Sequence, residues 1–550
     1  MCFIVYRNYQ DYINMRQQWI IICLLAYVHL SHQKSSPNLP TYVAAVIEYH
    51  SEFHIDSEST LGANTDAYVK LIETASAQKV DILVFPEDGL TSYTTIGRHE
   101  LYNWTTIIPA ASDNFIPCTN TTINVSKTLR EISCAARENE IYVVINIAEQ
   151  LPCVHQPGCR KDNMFYYNSN VVFDRKGKII ARYRKTNLFM EHNFDTTKEP
   201  EVVIFDTDFG VKFGTFTCFD ILFYNPALQL TRHQHITDIV FPTAWFSEVP
   251  FLTAVQTQAG WSFAEDVNFL VSGYNRPFSG STGSGIYLGR KGVGKAIMSR
   301  INETEMLIFE VPKIKRTNES ESYQNHMKDN NQQTKSYKEE STFYELRNKQ
   351  ENTITKTNNT NIFFGHDFID HFETFLFQQQ NISQKSLCQN SFCCEFTVST
   401  VLTDPNIKYR LVVFSGTRKY GVTDASVSTC GIIQCLNETI ASCVSIPRDS
   451  KTVFSEMEVT ARFEDYKNIL IMPSTLSSDL LPLTKWAYDE HTHDNHVHVT
   501  ISLNNNINNV VTFGLYARTF HEGKNGAACA FNTISGFVLS LAVLLLSRLI

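Results

Sequence analysis

Between Thr41 and Pro312, strand-like apolar runs alternate with helix-like segments, and this alternation restricts the fold of the 550-residue chain more than any other feature. YVAAVIEY (Tyr42 to Tyr49) reads as a buried strand. The next segment sets Tyr68, Leu71, Ile72 and Ala75 on one helical face, with Asn64, Thr65 and Asp66 available as caps. DILVFPEDGL (Asp81 to Leu90) is a second strand, closed by Pro86. IYVVINIA, the hairpin VVFD–RKGK–IIARY, VKFGTFTCF, DIVFPTAW, NFLVSGYN and EMLIFEVP follow, with helical patterns at Ser126 to Arg137 and Phe251 to Asp266. Such alternation predicts an α/β domain whose sheets are covered by helices.

The pattern breaks at Lys313. Residues 313–361 are rich in Asn, Lys, Glu, Ser and Thr and carry too few apolar groups to offset the cost of ordering, so a linker or insertion is expected there. Strand-like runs return over 362–520 (CCEFTVSTVL, YRLVVFSG, VHVTISL, VVTFGLYA) and predict a smaller, β-rich second domain. Two domains with appendages suit the length. A hydrophobic content of 43% is that of a globular chain, and a net charge of −9 without a basic stripe excludes a nucleic-acid partner.

Both ends read as addresses. Arg16 precedes the apolar stretch Trp19 to Ser31, so residues 1–31 are expected to form a secretory signal region. The apolar run Ile534 to Leu546 is shorter than the roughly 20 residues of a spanning helix. With Asn525, Gly526, Ala527 and Ala528 before it, residues 525–550 resemble a GPI-attachment signal, with attachment at Asn525 or Gly526; a short single-pass anchor or a secreted soluble form is the alternative. N-x-S/T sequons at Asn103, Asn120, Asn124, Asn302, Asn318, Asn358, Asn381 and Asn437 agree with an extracellular glycoprotein tethered to the outer leaflet.

Cysteine parity sharpens the reading. Of fourteen cysteines, Cys2 and Cys23 fall in the leader and Cys529 in the tail, which leaves an odd number in a compartment where cysteines pair. One thiol should be free. Cys118 with Cys134 and Cys153 with Cys159 are local pairs, while Cys388, Cys393, Cys394, Cys430, Cys435 and Cys443 cluster late in the chain. Cys218, in FGTFTCFDILF, has the surroundings least like a bridge. Half a cystine, a small core residue and a nucleophile all remain open for it.

A thiol becomes a nucleophile when a base or a positive charge assists it, and strand ends hold such groups rigidly beside a crevice. Glu87 and Lys185 also stand at strand ends, in FPEDGL and ARYRKTNLF. Singly, each reads as a solvated surface charge. Asp220 either caps the turn or meets substrate; Glu191 is a candidate second carboxylate; Phe189, Phe219, Phe223 and Trp245 are candidate walls of an acyl site. His233 and His235 lie in a polar helical stretch and do not suit a Cys–His pair. HTHDNHVHV (His491 to Val499) reads as a polar strand or loop rather than a metal site, and TGSGIYLGRKGVGK lacks the ending of a phosphate loop, so turns between strands are expected there.

In that order FPEDGL, ARYRKTNLF and FGTFTCFDILF resemble the Glu-Lys-Cys signature of the nitrilase superfamily of carbon–nitrogen hydrolases. CRKDNMFYYNSNVVFDRKGKIIARYRK, DIVFPTAWFSEVPFLTAV and TGSGIY narrow the resemblance to its vanin and biotinidase branch. The resemblance implies an α-β-β-α sandwich over residues 40–312. It also implies Cys218 as nucleophile, Glu87 as general base and Lys185 as electrostatic partner, without metal or cofactor. The implied reaction on a small-molecule amide is cleavage of pantetheine to pantothenate and cysteamine through a Cys218 thioester. A biotin-amide hydrolase, or a surface binding glycoprotein with vestigial catalysis, is the alternative.

Overall fold

The computed structural model describes residues 34–92, 97–314, 362–377, 381–503 and 505–520. The expected leader, nearly all of the 313–361 segment with Asn318 and Asn358, and the expected attachment signal with Asn525 and Gly526 lie outside these residues.

Two six-stranded sheets form the first half of the protein. One runs in the order Glu305–Pro312, Thr41–Glu48, Ile82–Val84, Tyr142–Pro152, Met164–Phe173, Ile179–Arg184, and the other Val293–Ile297, Ser284–Leu288, Asn268–Gly273, Asp238–Thr243, Lys212–Thr215, Val203–Asp206. Each has three parallel strands at its heart (Thr41–Glu48, Ile82–Val84 and Tyr142–Pro152; Asn268–Gly273, Asp238–Thr243 and Lys212–Thr215) flanked by antiparallel ones.

Strand periodicity sets the layers. In Thr41–Glu48, Tyr42, Ala44 and Val46 enter the core between the sheets, where they meet Val84, Val144, Phe213, Val240 and Leu270. Ala45 and Ile47 point the other way, onto Tyr68, Ile72, Leu129 and Ile132 of the helices Ser57–Ala77 and Lys127–Glu138. Behind the second sheet, Phe241 and Phe269 pack on Trp261 of the helix Ala254–Glu265 and on Leu228 and Leu230 of the helical segment Tyr224–His233. The result is the expected α-β-β-α sandwich.

The helix Ser57–Ala77 corrects one expectation. Asp56 is its cap, accepting from the Ser59 amide at 2.7 Å, so Asn64, Thr65 and Asp66 lie inside the helix. Its first turns bury polar rather than apolar groups, which hid them from a periodicity argument: Asn64 Nδ2 donates to the carbonyls of Glu52 (2.9 Å) and Leu90 (3.2 Å). The Gly-rich run places its turn between strands, as expected. It is a hairpin of the strands Ser284–Leu288 and Val293–Ile297 with a tight connection.

Beyond residue 361 two five-stranded antiparallel sheets stack. Their orders are Glu373–Phe377, Lys408–Tyr420, Thr423–Cys435, Val510–Thr519, Ile469–Ser477 and Ile382–Gln389, Phe392–Leu402, Val453–Glu464, His496–Leu503, Ala487–His493. Phe396, Val459 and Ile501 of one face Leu411, Ile432 and Phe513 of the other, and Cys394–Cys430 links the two sheets. The His491–Val499 stretch is an edge hairpin, and among the described residues no three His, Cys, Asp or Glu side chains are arranged to hold a metal. The other bridges are Cys118–Cys134, Cys153–Cys159, Cys388–Cys393 and Cys435–Cys443. Cys218 is the free cysteine among the described residues, as parity expects.

Candidate active site

Glu87, Lys185 and Cys218 each follow the last residue of a sheet strand by one to three positions: Val84, Arg184 and Thr215. The structure brings all three together in a buried pocket of charge. Lys185 Nζ lies 2.6 Å from Glu87 Oε1 and 2.6 Å from Glu191 Oε2. Asn168 Nδ2 bridges the same carboxylates, 2.8 Å from Glu87 Oε1 and 2.7 Å from Glu191 Oε1. The Ala244 amide donates to Glu87 Oε2 at 2.8 Å, and the Phe189 amide to Glu191 Oε2 at 3.0 Å.

The turn that carries Glu87 is fitted to the helix beneath it. A Cβ on Gly89 would stand 2.0 Å from the Tyr68 hydroxyl oxygen, and the Tyr68 ring is stacked on Phe85 with centroids 3.8 Å apart. Only glycine lets the Pro-Glu-Asp-Gly turn settle there, and Asn64 holds the Leu90 carbonyl behind it.

Cys218 opens the short helical turn Cys218–Leu222 with φ at +46°, a conformation a side-chain-bearing residue adopts only where its surroundings enforce it. Asp220 is part of that enforcement. Its carboxylate accepts from the Thr217 amide (3.0 Å), the Tyr183 hydroxyl (2.6 Å), and the Asn187 amide (2.9 Å) and side chain (2.8 Å). Burial pushes its carboxyl up to about 6 against those bonds. Fully enclosed and engaged on both oxygens, Asp220 braces the turn and leaves no face for a substrate.

Burial, and then the Glu87 charge, push the Cys218 thiol well above its usual range; Lys185 and the Ala244 amide pull against them without prevailing. The resting group is a thiol. Burial works against the Lys185 ammonium, but Glu191 and Glu87 outweigh it and hold the lysine charged. The arrangement therefore sets a thiol beside the Glu87 carboxyl group and a fixed cation, which suits attack on a polarised carbonyl with concerted loss of the thiol proton.

Phe189 meets Phe219, the residue after Cys218, edge-on at 5.1 Å. Trp245 is more firmly core: its ring nitrogen donates to the Leu252 carbonyl at 2.9 Å. Asn168 and the Ala244 amide were not among the expected site groups. The only trace of the former is an Asn-Ser-Asn step in an apolar strand, opposite Asn146, whose Nδ2 donates to Asn168 Oδ1 at 2.6 Å.

Comparison with known proteins follows the same division. Residues 43–259 match the carbon-nitrogen hydrolase family model and residues 362–523 the Vanin C-terminal domain model. Vanin-like protein 1 of Drosophila melanogaster is 33% identical, over 89% of this chain and 88% of that protein. The chain belongs to the vanin family. It is also similar to the proteins named pantetheinase from Homo sapiens (33% identical, 73% of this chain and 74% of that protein) and Mus musculus (30%, 97% and 98%). Among solved structures, Saccharomyces cerevisiae Nit3 of the nitrilase superfamily aligns at 18% identity and TM-score 0.40, covering 51% of this chain and 93% of that one. As a vanin-family protein the chain is a carbon–nitrogen hydrolase, and its disulfides suit an oxidising, extracellular setting.

Proposed function

We propose that this vanin-family protein hydrolyses the linear amide of pantetheine to pantothenate and cysteamine, with Cys218 as nucleophile, Glu87 as general base and acid, and Lys185 as electrostatic partner. The observation that carries this reading is the one unbridged sulfur among the described residues, lying under the opposed charges of buried Glu87 and Lys185. The substrate comes from the relatives named pantetheinase.

Glu87 takes the thiol proton while Sγ bonds to the amide carbon and an electron pair moves onto oxygen. An ammonium has three N–H donors; Lys185 directs two at Glu87 and Glu191, and the third meets the oxyanion. The tetrahedral adduct expels the amine, which receives the proton from Glu87, and a thioester remains on Cys218. Glu87 then removes a proton from the attacking water. The second adduct expels the sulfur, which regains that proton, and the acid departs. Asn168 and Glu191 keep Glu87 and Lys185 in register throughout. Phe189 walls the acyl group.

A biotin-amide hydrolase would use the same groups, so the test is comparative. Purified protein should turn over pantetheine faster than biocytin. Faster biocytin cleavage overturns the substrate assignment, and cleavage of neither returns the fold to a binding role. For the tail we propose lipid attachment at Asn525 or Gly526 on the outer leaflet, motivated by the small residues before Ile534 to Leu546. Phosphatidylinositol-specific phospholipase C should then release the protein from cells; retention on the membrane contradicts it.

A further inference from the structure

The reactive groups are graded in exposure. Glu87 and Lys185 are each 2% exposed, Cys218 7% and Glu191 16%. Among the described residues this grading points to the 189–191 turn as the entrance for a substrate, where Phe189 is half-buried and Met190 is 46% exposed. The other lip of that entrance is not part of the hydrolase sandwich. It is the tip of the second domain's long hairpin, Lys408–Tyr420 and Thr423–Cys435, joined by the two-residue turn Gly421-Val422.

Three contacts fix this tip against the site. The Tyr420 ring lies 6.0 Å from that of Phe219, the residue after the nucleophile. Gly421, at φ +58°, comes so close to Met190 that a Cβ there would stand 2.8 Å from its sulfur. Arg518, from the strand beside the hairpin's second arm, donates to the Leu222 carbonyl at the end of the Cys218 turn (3.1 Å). The tip itself is anchored. Tyr420 is hydrogen-bonded to Tyr516, and Arg418, stacked on the Tyr420 ring at 4.5 Å, pairs with Glu248 of the first domain and with Asp367 (3.2 Å).

We propose that the Tyr420–Val422 tip of the second domain is the outer wall of the acyl cleft and determines which amides reach Cys218. Met190, half-buried Phe189 and the 68%-exposed Val422 offer an apolar surface backed by buried Tyr420, so the wall recognises a non-polar stretch of the acyl chain beyond the scissile carbonyl. Small amides lie inside it and do not touch it. This rests on the hydrolase reading above, and its test must separate the two.

Two probes of different length serve, on the full-length protein, with Gly421→Asn and Met190→Ala. Asparagine tolerates positive φ, so Gly421→Asn keeps the turn and thrusts a side chain at Met190. It should raise KM for pantetheine about tenfold while kcat/KM for propionamide stays within about twofold, and Met190→Ala in the same chain should restore the pantetheine KM. Parallel losses on both amides, or no change on either, overturn the wall. Alkylation of Cys218 reads the same wall without turnover: the rate ratio of iodoacetamide to N-hexyl iodoacetamide should rise about fivefold in Gly421→Asn, the scale of a modest pocket contact. An unchanged ratio overturns the proposal even in a protein that hydrolyses no amide. A shifted ratio without amide turnover supports it and removes the hydrolase reading alone.

Discussion

Lys185 and Glu87 form a 2.6 Å ion pair in which each side chain is 2% exposed. Removing the cation leaves Glu87 and Glu191 facing each other out of water, so Lys185→Met is expected to cost about 3–5 kcal/mol of stability. Loss of the oxyanion donor should lower kcat about 10²–10³-fold. Lys185→Arg should not rescue it, since a planar fork cannot replace a compact ammonium between two carboxylates. Denaturant melts and turnover measurements check both parts; near-normal kcat in Lys185→Met contradicts the role.

The Gly89 position makes a second, more local prediction. Gly89→Ala forces a Cβ onto the Tyr68 hydroxyl oxygen, whereas the next ring atom is 3.2 Å away. The variant should lose both melting temperature and activity, because the displaced turn carries Glu87. Tyr68→Phe removes the obstructing atom, so the double variant should recover much of both. A double variant no better than Gly89→Ala means that the clash lies elsewhere.

Glu48 gives a pH signature. Its carboxylate is enclosed by Thr282, Ser284, Asn275 and the Gly283 amide, yet burial raises it from 4.5 to about 7. For an acid raised on folding, the stabilising contribution is complete below pH 4.5 and is lost as pH climbs through 7. A rise of that size corresponds to about 3 kcal/mol. Glu48→Gln cannot ionise, so unfolding measured from pH 4.5 to 8 should find the variant gaining on the wild type by about that amount. A constant difference across the window contradicts this.

Asn168 supplies the fourth prediction. Its single amide nitrogen donates to both carboxylates that flank Lys185, so Asn168→Ala should lower kcat by roughly tenfold to a hundredfold, the scale of a hydrogen bond to a charged group. KM should change little, since Asn168 has no expected contact with the distal substrate. A variant with altered KM and intact kcat would assign it to binding instead.

These residues also mark what the sequence could reveal. Parity left one sulfur over and pointed to Cys218, whereas Glu87 and Lys185 read singly as solvated surface charges and were legible only through the resemblance of FPEDGL, ARYRKTNLF and FGTFTCFDILF, in that order, to a Glu-Lys-Cys signature. The layers followed from alternation, as Tyr42, Ala44 and Val46 illustrate. Asn168 stayed hidden because a single amide in a strand carries no local signal of what lies opposite it. The start of the first helix was missed because its buried face is polar, built from Thr60 and Asn64 rather than leucines. Tyr420 could not be foreseen at all: its contact with Phe219 joins distant parts of the chain in separate domains.

The most direct measurement is intact-mass analysis with peptide mapping after rapid mixing with pantetheine and acid quench. The account predicts a pantothenoyl thioester confined to the Cys218 peptide, absent from Cys218→Ala and severely reduced in Glu87→Gln. Pantetheine turnover with no adduct on that peptide, or with Cys218→Ala still active, would contradict it.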